Sequence, residues 1–167
     1  MKWLHLNKKV IHTKIGWVFS MTNKLKEWLI SNEYDLNDIN SVGKYGNSAL
    51  MKLCREGNIE LVKEILTLGV DLNIKNVDGN SALWNSCFAN SYACFDELIK
   101  AGIDIDSQNV NGVTSLMCCA SAGKEDFVEL LLKNGANCEL ENLDAFKAID
   151  LATTSKIVKL LKNAKVS

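Results

Sequence analysis

The chain has 167 residues, 47 % of them apolar and 23 % charged, which suits a single soluble globular domain and argues against disorder. Ten Gly and no Pro exclude collagen, and the longest uncharged apolar-rich stretch, Ile15–Thr22, is far short of the ~20 residues that span a bilayer. A net charge of −1 lacks the basic excess of a dedicated nucleic-acid binder, so no nucleic acid is expected as a partner.

That charge is unevenly spread. Met1–Lys26 holds six Lys and no Asp or Glu, so it carries +6, and the rest of the chain carries −7. The basic arm reads as a solvated tail or as a contact for an acidic partner or anionic surface. Residues 1–20 also hold Leu4, Ile11, Ile15 and Val18 on one helical face. Either an amphipathic helix docks there, on the first repeat or on a membrane, or the chain in effect starts at Met21. The arm has no uninterrupted apolar run and no small-residue cleavage site, so a signal peptide is not expected and cytoplasmic residence is.

From Asn23 onward the chain repeats itself. A cap helix is expected around Leu25, Trp28, Leu29 and Ile30, followed by Tyr34-Asp35-Leu36-Asn37. Gly46, Gly79 and Gly112 then recur every 33 residues, as do Gly69, Gly102 and Gly135. Each unit opens with a hydroxyl, Ser48, Ser81 or Thr114, that suits a helix N-cap before a short apolar helix, about Ala49–Glu56 in the first. A second helix shows helical spacing at Leu61, Val62, Ile65 and Leu66, at Cys94, Phe95, Leu98 and Ile99, and at Phe127, Val128, Leu131 and Leu132. The second set of glycines falls just past those helices, where a left-handed residue ends them. Polar segments such as Lys75-Asn76-Val77-Asp78-Gly79 read as β-turns, not central strands. At the C-terminus Ala145 stands where a repeat glycine belongs, and Ile157, Val158, Leu160 and Leu161 supply a last helix.

The strings Gly46-Asn47-Ser48-Ala49-Leu50, Gly79-Asn80-Ser81-Ala82-Leu83 and Gly112-Val113-Thr114-Ser115-Leu116, at a period of 33, resemble the ankyrin repeat. The resemblance covers about residues 23–164 and implies an all-α solenoid of helix-turn-helix units joined by hairpin-like turns. It divides the chain into an extension (1–20), a cap (21–42), repeats at 43–75, 76–108 and 109–141, and a C-terminal cap (142–164). The family's T-P-L-H signature loses its Pro to Ala49, Ala82 and Ser115, and its His to Met51, Trp84 and Met117. Softer turns, leaning on apolar packing, are the expected result.

The resemblance also implies that turn tips and the inner face of the first helices bind a partner protein. The candidates are Tyr45, Asn47, Arg55, Asp78, Asn80, Phe88, Asn111, Val113 and Phe146, with Tyr45, Phe88 and Phe146 as aromatic anchors. Val77, Val110, Val113 and Leu143 add an apolar strip.

Catalysis is not expected. The two histidines, His5 and His12, lie in the basic arm, and no metalloprotease, nucleophile-elbow or phosphate-loop string occurs. The six cysteines lack zinc spacing and read as free thiols in a reducing compartment, with Cys54, Cys87 and Ala120 at one small core position. Asp104, Asp106, Glu139, Glu141 and Asp144 read as a solvated rim, so no metal or cofactor is expected. The expectation is a monomeric, non-catalytic protein-binding module. An immunity-type neutraliser of a toxin, a secreted effector adaptor, or a membrane-associated adaptor using the basic arm remain as alternatives.

Overall fold

A computed structural model describes residues 16–164. The helices are α1 (Asn23–Ser31), α2 (Ala49–Glu56), α3 (Ile59–Thr67), α4 (Ala82–Phe88), α5 (Tyr92–Lys100), α6 (Ser115–Ser121), α7 (Glu125–Lys133) and α8 (Ser155–Ala164). Residues 16–20 are also helical, and Trp17 packs on the core while Phe19 stays exposed. The helical face drawn through Leu4, Ile11 and Ile15 lies outside the described residues.

Local chemistry starts each first helix. The hydroxyl oxygens of Ser48, Ser81 and Thr114 accept from the backbone N–H of Met51, Trp84 and Met117 at 3.3, 3.3 and 3.2 Å. Each satisfies a donor that a helix start leaves open. Thr22 caps α1 and Thr154 caps α8 in the same way. The apolar stripes then select the layers. Helices α2, α4 and α6 stack side by side in one layer, while α1, α3 and α5 form the second, with α8 against α7. Between the layers sit Leu53, Leu61, Ile65, Leu83, Leu98 and Leu116, all fully buried. Phe95 meets Phe127 edge to face at 5.7 Å, a favoured aromatic geometry.

The turns stack as closely as the helices. The N–H groups of Val77, Val110 and Leu143 donate to the carbonyls of Tyr45, Asp78 and Asn111 in the preceding turn, each at 3.0 Å. That approach leaves no room for a side chain at the repeat glycine. A Cβ on Gly79 would sit 2.6 Å from the Val110 nitrogen, and one on Gly112 would sit 2.9 Å from that of Leu143. Ala145 takes the same left-handed conformation (φ +61) on the last turn, where no further turn stacks and the Cβ is tolerated. Among the described residues the only bridge outside the helices joins Val42 and Ser48, so the connections are turns and not strands.

The lost signature residues do not leave the turns to apolar packing alone. The Asn76 Oδ1 accepts from the N–H of Asp78 and Asn80 at 3.1 and 2.9 Å. Asn109 does the same for Asn111 and Val113, and Asn142 for Asp144 and Phe146. The amides of Asn76 and Asn109 also reach sideways, donating to the Oδ1 of Asn47 and Asn80 at 3.1 and 3.2 Å. An asparagine ladder therefore ties the first three turns together, adding polar contacts to the apolar packing expected there.

The caps depart from the full units. Leu25 and Leu29 are buried and Trp28 is half-buried, but Ile30 is 61 % exposed, so it does not belong to the cap's buried face. In the last unit the first helix shrinks to a turn around residues 148–151, with the Lys147 N–H bonded to Asp150 and Ala148 buried.

Cys54, Cys87, Cys94 and Cys119 are free and buried, Cys118 is free and half-buried, and Cys138 is buried. Cys54, Cys87 and Ala120 fill equivalent core positions. Burial first, and then the neighbouring Cys119, push the Cys118 thiol up to about 11. At pH 8 its thiolate fraction falls about 100-fold below that of an ordinary thiol, so iodoacetamide should alkylate it about 100-fold more slowly than a free cysteine. The raised value also fixes a sign. The native state keeps this proton longer than the unfolded chain, so the stability involved is complete below the ordinary value of 9.0 and is lost as pH rises towards about 11. Rapid native-state alkylation of Cys118 would contradict the burial.

Candidate functional site

A cleft of about 710 Å³ opens on the inner face at the N-terminal half of the stack. Its walls come from the end of α1, the first turn, and the exposed flanks of α2 and α4. The turn presents Lys44, Tyr45 and Asn47, α2 presents Lys52 and Arg55, and α4 presents Asn85. Met51, 1 % exposed, closes the floor one helical turn before Arg55.

The first turn is built differently from the others. Gly43 occupies the place that Asn76, Asn109 and Asn142 hold later, donating to Asn47 O as they donate to Asn80, Val113 and Phe146. A Cβ there would stand 3.3 Å from the Tyr34 ring, a tight approach that crowds any side chain at this position. Tyr34 is buried, stacks on Trp28 at 5.8 Å and donates its hydroxyl to the Asn47 carbonyl at 3.2 Å. Burial, and then Glu56, hold its phenol above the usual value and keep it a donor. With no asparagine to shape this turn, Tyr45 takes a left-handed backbone (φ +60) with its ring 63 % exposed. Bulky residues rarely adopt that region, and such strain clusters at functional sites.

The repeat period sets the next contact. Arg55 and Phe88 lie 33 residues apart, at equivalent positions of adjacent units, and the guanidinium sits 4.8 Å over the Phe88 ring. Lys124 steadies the same helix end. Its ammonium donates to the carbonyls of Cys87 and Phe88 and to Asn90 Oδ1 at 2.6, 2.9 and 2.8 Å, closing the C-terminus of α4. Phe88 itself remains 56 % exposed.

A family model described as ankyrin repeats, in three copies, matches residues 18–109 and 86–167. The chain belongs to the ankyrin repeat family. Ankyrin repeats are generally protein–protein interaction modules and typically non-catalytic scaffolds. No curated protein matches the chain. No helix among the described residues is long and apolar enough to cross a membrane, and no group of three or more His, Cys, Asp or Glu among them is placed to hold a metal ion. Asp104, Asp106, Glu139 and Glu141 bind locally instead. Asp104 and Asp106 accept backbone N–H bonds, and Glu139 and Glu141 share Lys147.

The ankyrin array brings Tyr45, Asn47 and Arg55 into one cleft, with Phe88 against Arg55. It spreads the other candidates along the stack. Asp78 and Asn111 are exposed at the second and third turn tips, while Asn47 and Asn80 are half-buried in the asparagine ladder. Val113 packs against the core instead of joining an exposed strip, whereas Val77, Val110 and Leu143 are open to solvent. Phe146 is 48 % exposed on the last turn and takes no part in the cleft. Sequence reading missed Lys124 and Tyr34. Lys124 acts on carbonyls in the preceding unit, and Tyr34 packs close against position 43, and neither leaves a local signature.

Proposed function

We propose that this ankyrin array is a non-catalytic module that grips a partner protein through the N-terminal half of its inner face. Tyr45, Arg55 and Phe88 are the anchors, with Asp78 and Asn111 as a polar rim. The observation that carries this reading is the cleft with its edge: an exposed tyrosine in a strained backbone in its wall, and beside it an exposed phenylalanine with the cleft's arginine laid on it. Tyr and Arg are enriched at binding hot spots, and none of these three side chains is needed to fill the core. Free thiols fit a reducing compartment.

Affinity capture with the double variant Tyr45→Ala/Phe88→Ala should lose a partner that the wild type and Phe146→Ala both retain. Tyr45→Asn separates function from folding. Asparagine accepts a left-handed backbone, so the urea midpoint should change by less than about 0.5 kcal/mol in stability. Affinity for the captured partner should fall about tenfold or more. Retention of the same proteins by all variants would move the site to another face.

A further inference from the structure

The cleft carries charge of the opposite sign to the body around it. Residues 27–167 sum to −7, yet the cleft walls hold Lys44, Lys52 and Arg55 against a single carboxylate, Glu33. None of these three cations pairs with a carboxylate of the described residues. The acidic side chains that do form ion pairs do so with Lys24, Lys63, Lys100, Lys147 and Lys156. Arg55 is the chain's only arginine. Its guanidinium rests on the Phe88 ring at 4.8 Å, and its N–H groups donate to no acceptor among the described residues. A guanidinium held against a ring with a free edge is arranged to fork a carboxylate through two parallel hydrogen bonds. Beside it, Tyr45 and Phe88 offer exposed ring surface, and a cleft of about 710 Å³ admits several side chains.

We propose that the cleft takes an acidic peptide segment of the partner, with a carboxylate on Arg55 and Lys52 and an adjacent apolar side chain against Tyr45 and Phe88. This rests on the protein-binding reading above and adds the chemistry of what is bound. A peptide suits the site better than a phosphate polymer. Glu33 stands in the wall and the surrounding body is acidic, so a backbone charged at every unit is repelled outside the cleft. A peptide can place a carboxylate at the cations and neutral groups elsewhere.

The test is selection from a random library of short displayed peptides on the full chain, with Arg55→Met, Lys52→Met, Arg55→Lys and Tyr45→Ala/Phe88→Ala alongside. Matching melting temperatures establish that each variant is folded. The selected peptides should be enriched in Asp and Glu next to aliphatic or aromatic residues. As synthetic peptides they should bind Arg55→Met about tenfold or more weakly than wild type, and Arg55→Lys in between, because lysine keeps the charge and loses the fork. Asn and Gln copies should lose as much, and added salt should weaken the acidic forms more than the neutral ones. Peptides without acidic enrichment that ignore Arg55→Met but fail on Tyr45→Ala/Phe88→Ala would overturn the acidic partner and leave the protein-binding groove standing. A selection that yields no binder would overturn both. Tighter binding of an oligo-dT probe than of any selected peptide, lost in Arg55→Met, would overturn the peptide in favour of a nucleic acid.

Discussion

Gly79→Ala should be among the most damaging single-methyl additions to this protein, at about 3 kcal/mol or more, while Gly102→Ala should lose about 1 kcal/mol. Both glycines are left-handed, at φ +77 and +82, so both variants carry the penalty of an L side chain in that region. They differ in what the new carbon meets. At Gly102 nothing lies within 4 Å, whereas at Gly79 the Val110 nitrogen is 2.6 Å away and belongs to backbone that cannot rotate aside. Relief requires the third turn to move off the second, which breaks the Val110 N–H bond to the Asp78 carbonyl. A stacked array is held together by nearest-neighbour interfaces, so weakening one of them should also change how unfolding proceeds. In urea, Gly79→Ala should show a shallower transition or a split one, with the C-terminal units leaving first. Gly102→Ala should shift the midpoint and keep the slope. Equal losses in the two variants would mean that turn stacking contributes little.

What the sequence made readable follows from how local each cause is. The caps at Ser48, Ser81 and Thr114 act on an N–H three residues away, so a single string contains both partners. The helix-ending glycines are equally local. The period then carries information about neighbours: it puts Cys54, Cys87 and Ala120 in one core column, and it predicts that Arg55 and Phe88 adjoin. It fails where units differ. The crowding at Gly43 comes from the Tyr34 ring, nine residues away and in the cap. The strained backbone of Tyr45 is part of that altered turn and has no signature of its own. Phe146 stands on the last turn, separated from the first by two others, so the distance between it and Tyr45 is not legible in the repeat strings. Ile30 shares a short apolar run with Trp28 and Leu29, but consecutive residues point about 100° apart on a helix, and the third of them faces solvent.

The ladder makes the second large prediction. Asn76, Asn109 and Asn142 recur every 33 residues, visible in the sequence, but each lies in a polar turn where asparagine has reasons of its own to appear. The structure separates two jobs. The Oδ1 of Asn109 accepts from Asn111 and Val113 within the turn, at 2.9 and 3.0 Å, and its Nδ2 donates to Asn80 in the turn before, at 3.2 Å. Asn142 has the first job alone: its Oδ1 accepts from Asp144 and Phe146, and Val113 stands where a lateral acceptor would be needed. Hydrogen bonds of this kind contribute about 1 kcal/mol each, less where water can replace the lost acceptor. Asn109→Ala should therefore lose about 2 kcal/mol and Asn142→Ala about 1 kcal/mol in urea unfolding. Asn109→Asp keeps both acceptor bonds within the turn but sets a carboxylate oxygen against the Asn80 carbonyl oxygen, so it should recover only part of the loss at neutral pH and more of it in acid, where a protonated Asp can donate again. If Asn109→Ala and Asn142→Ala lose the same amount, the lateral bonds add nothing, and the turns are held one by one instead of as a connected edge. A larger loss at Asn109 would show that part of what holds the turns lies at the junction between units and not within each unit.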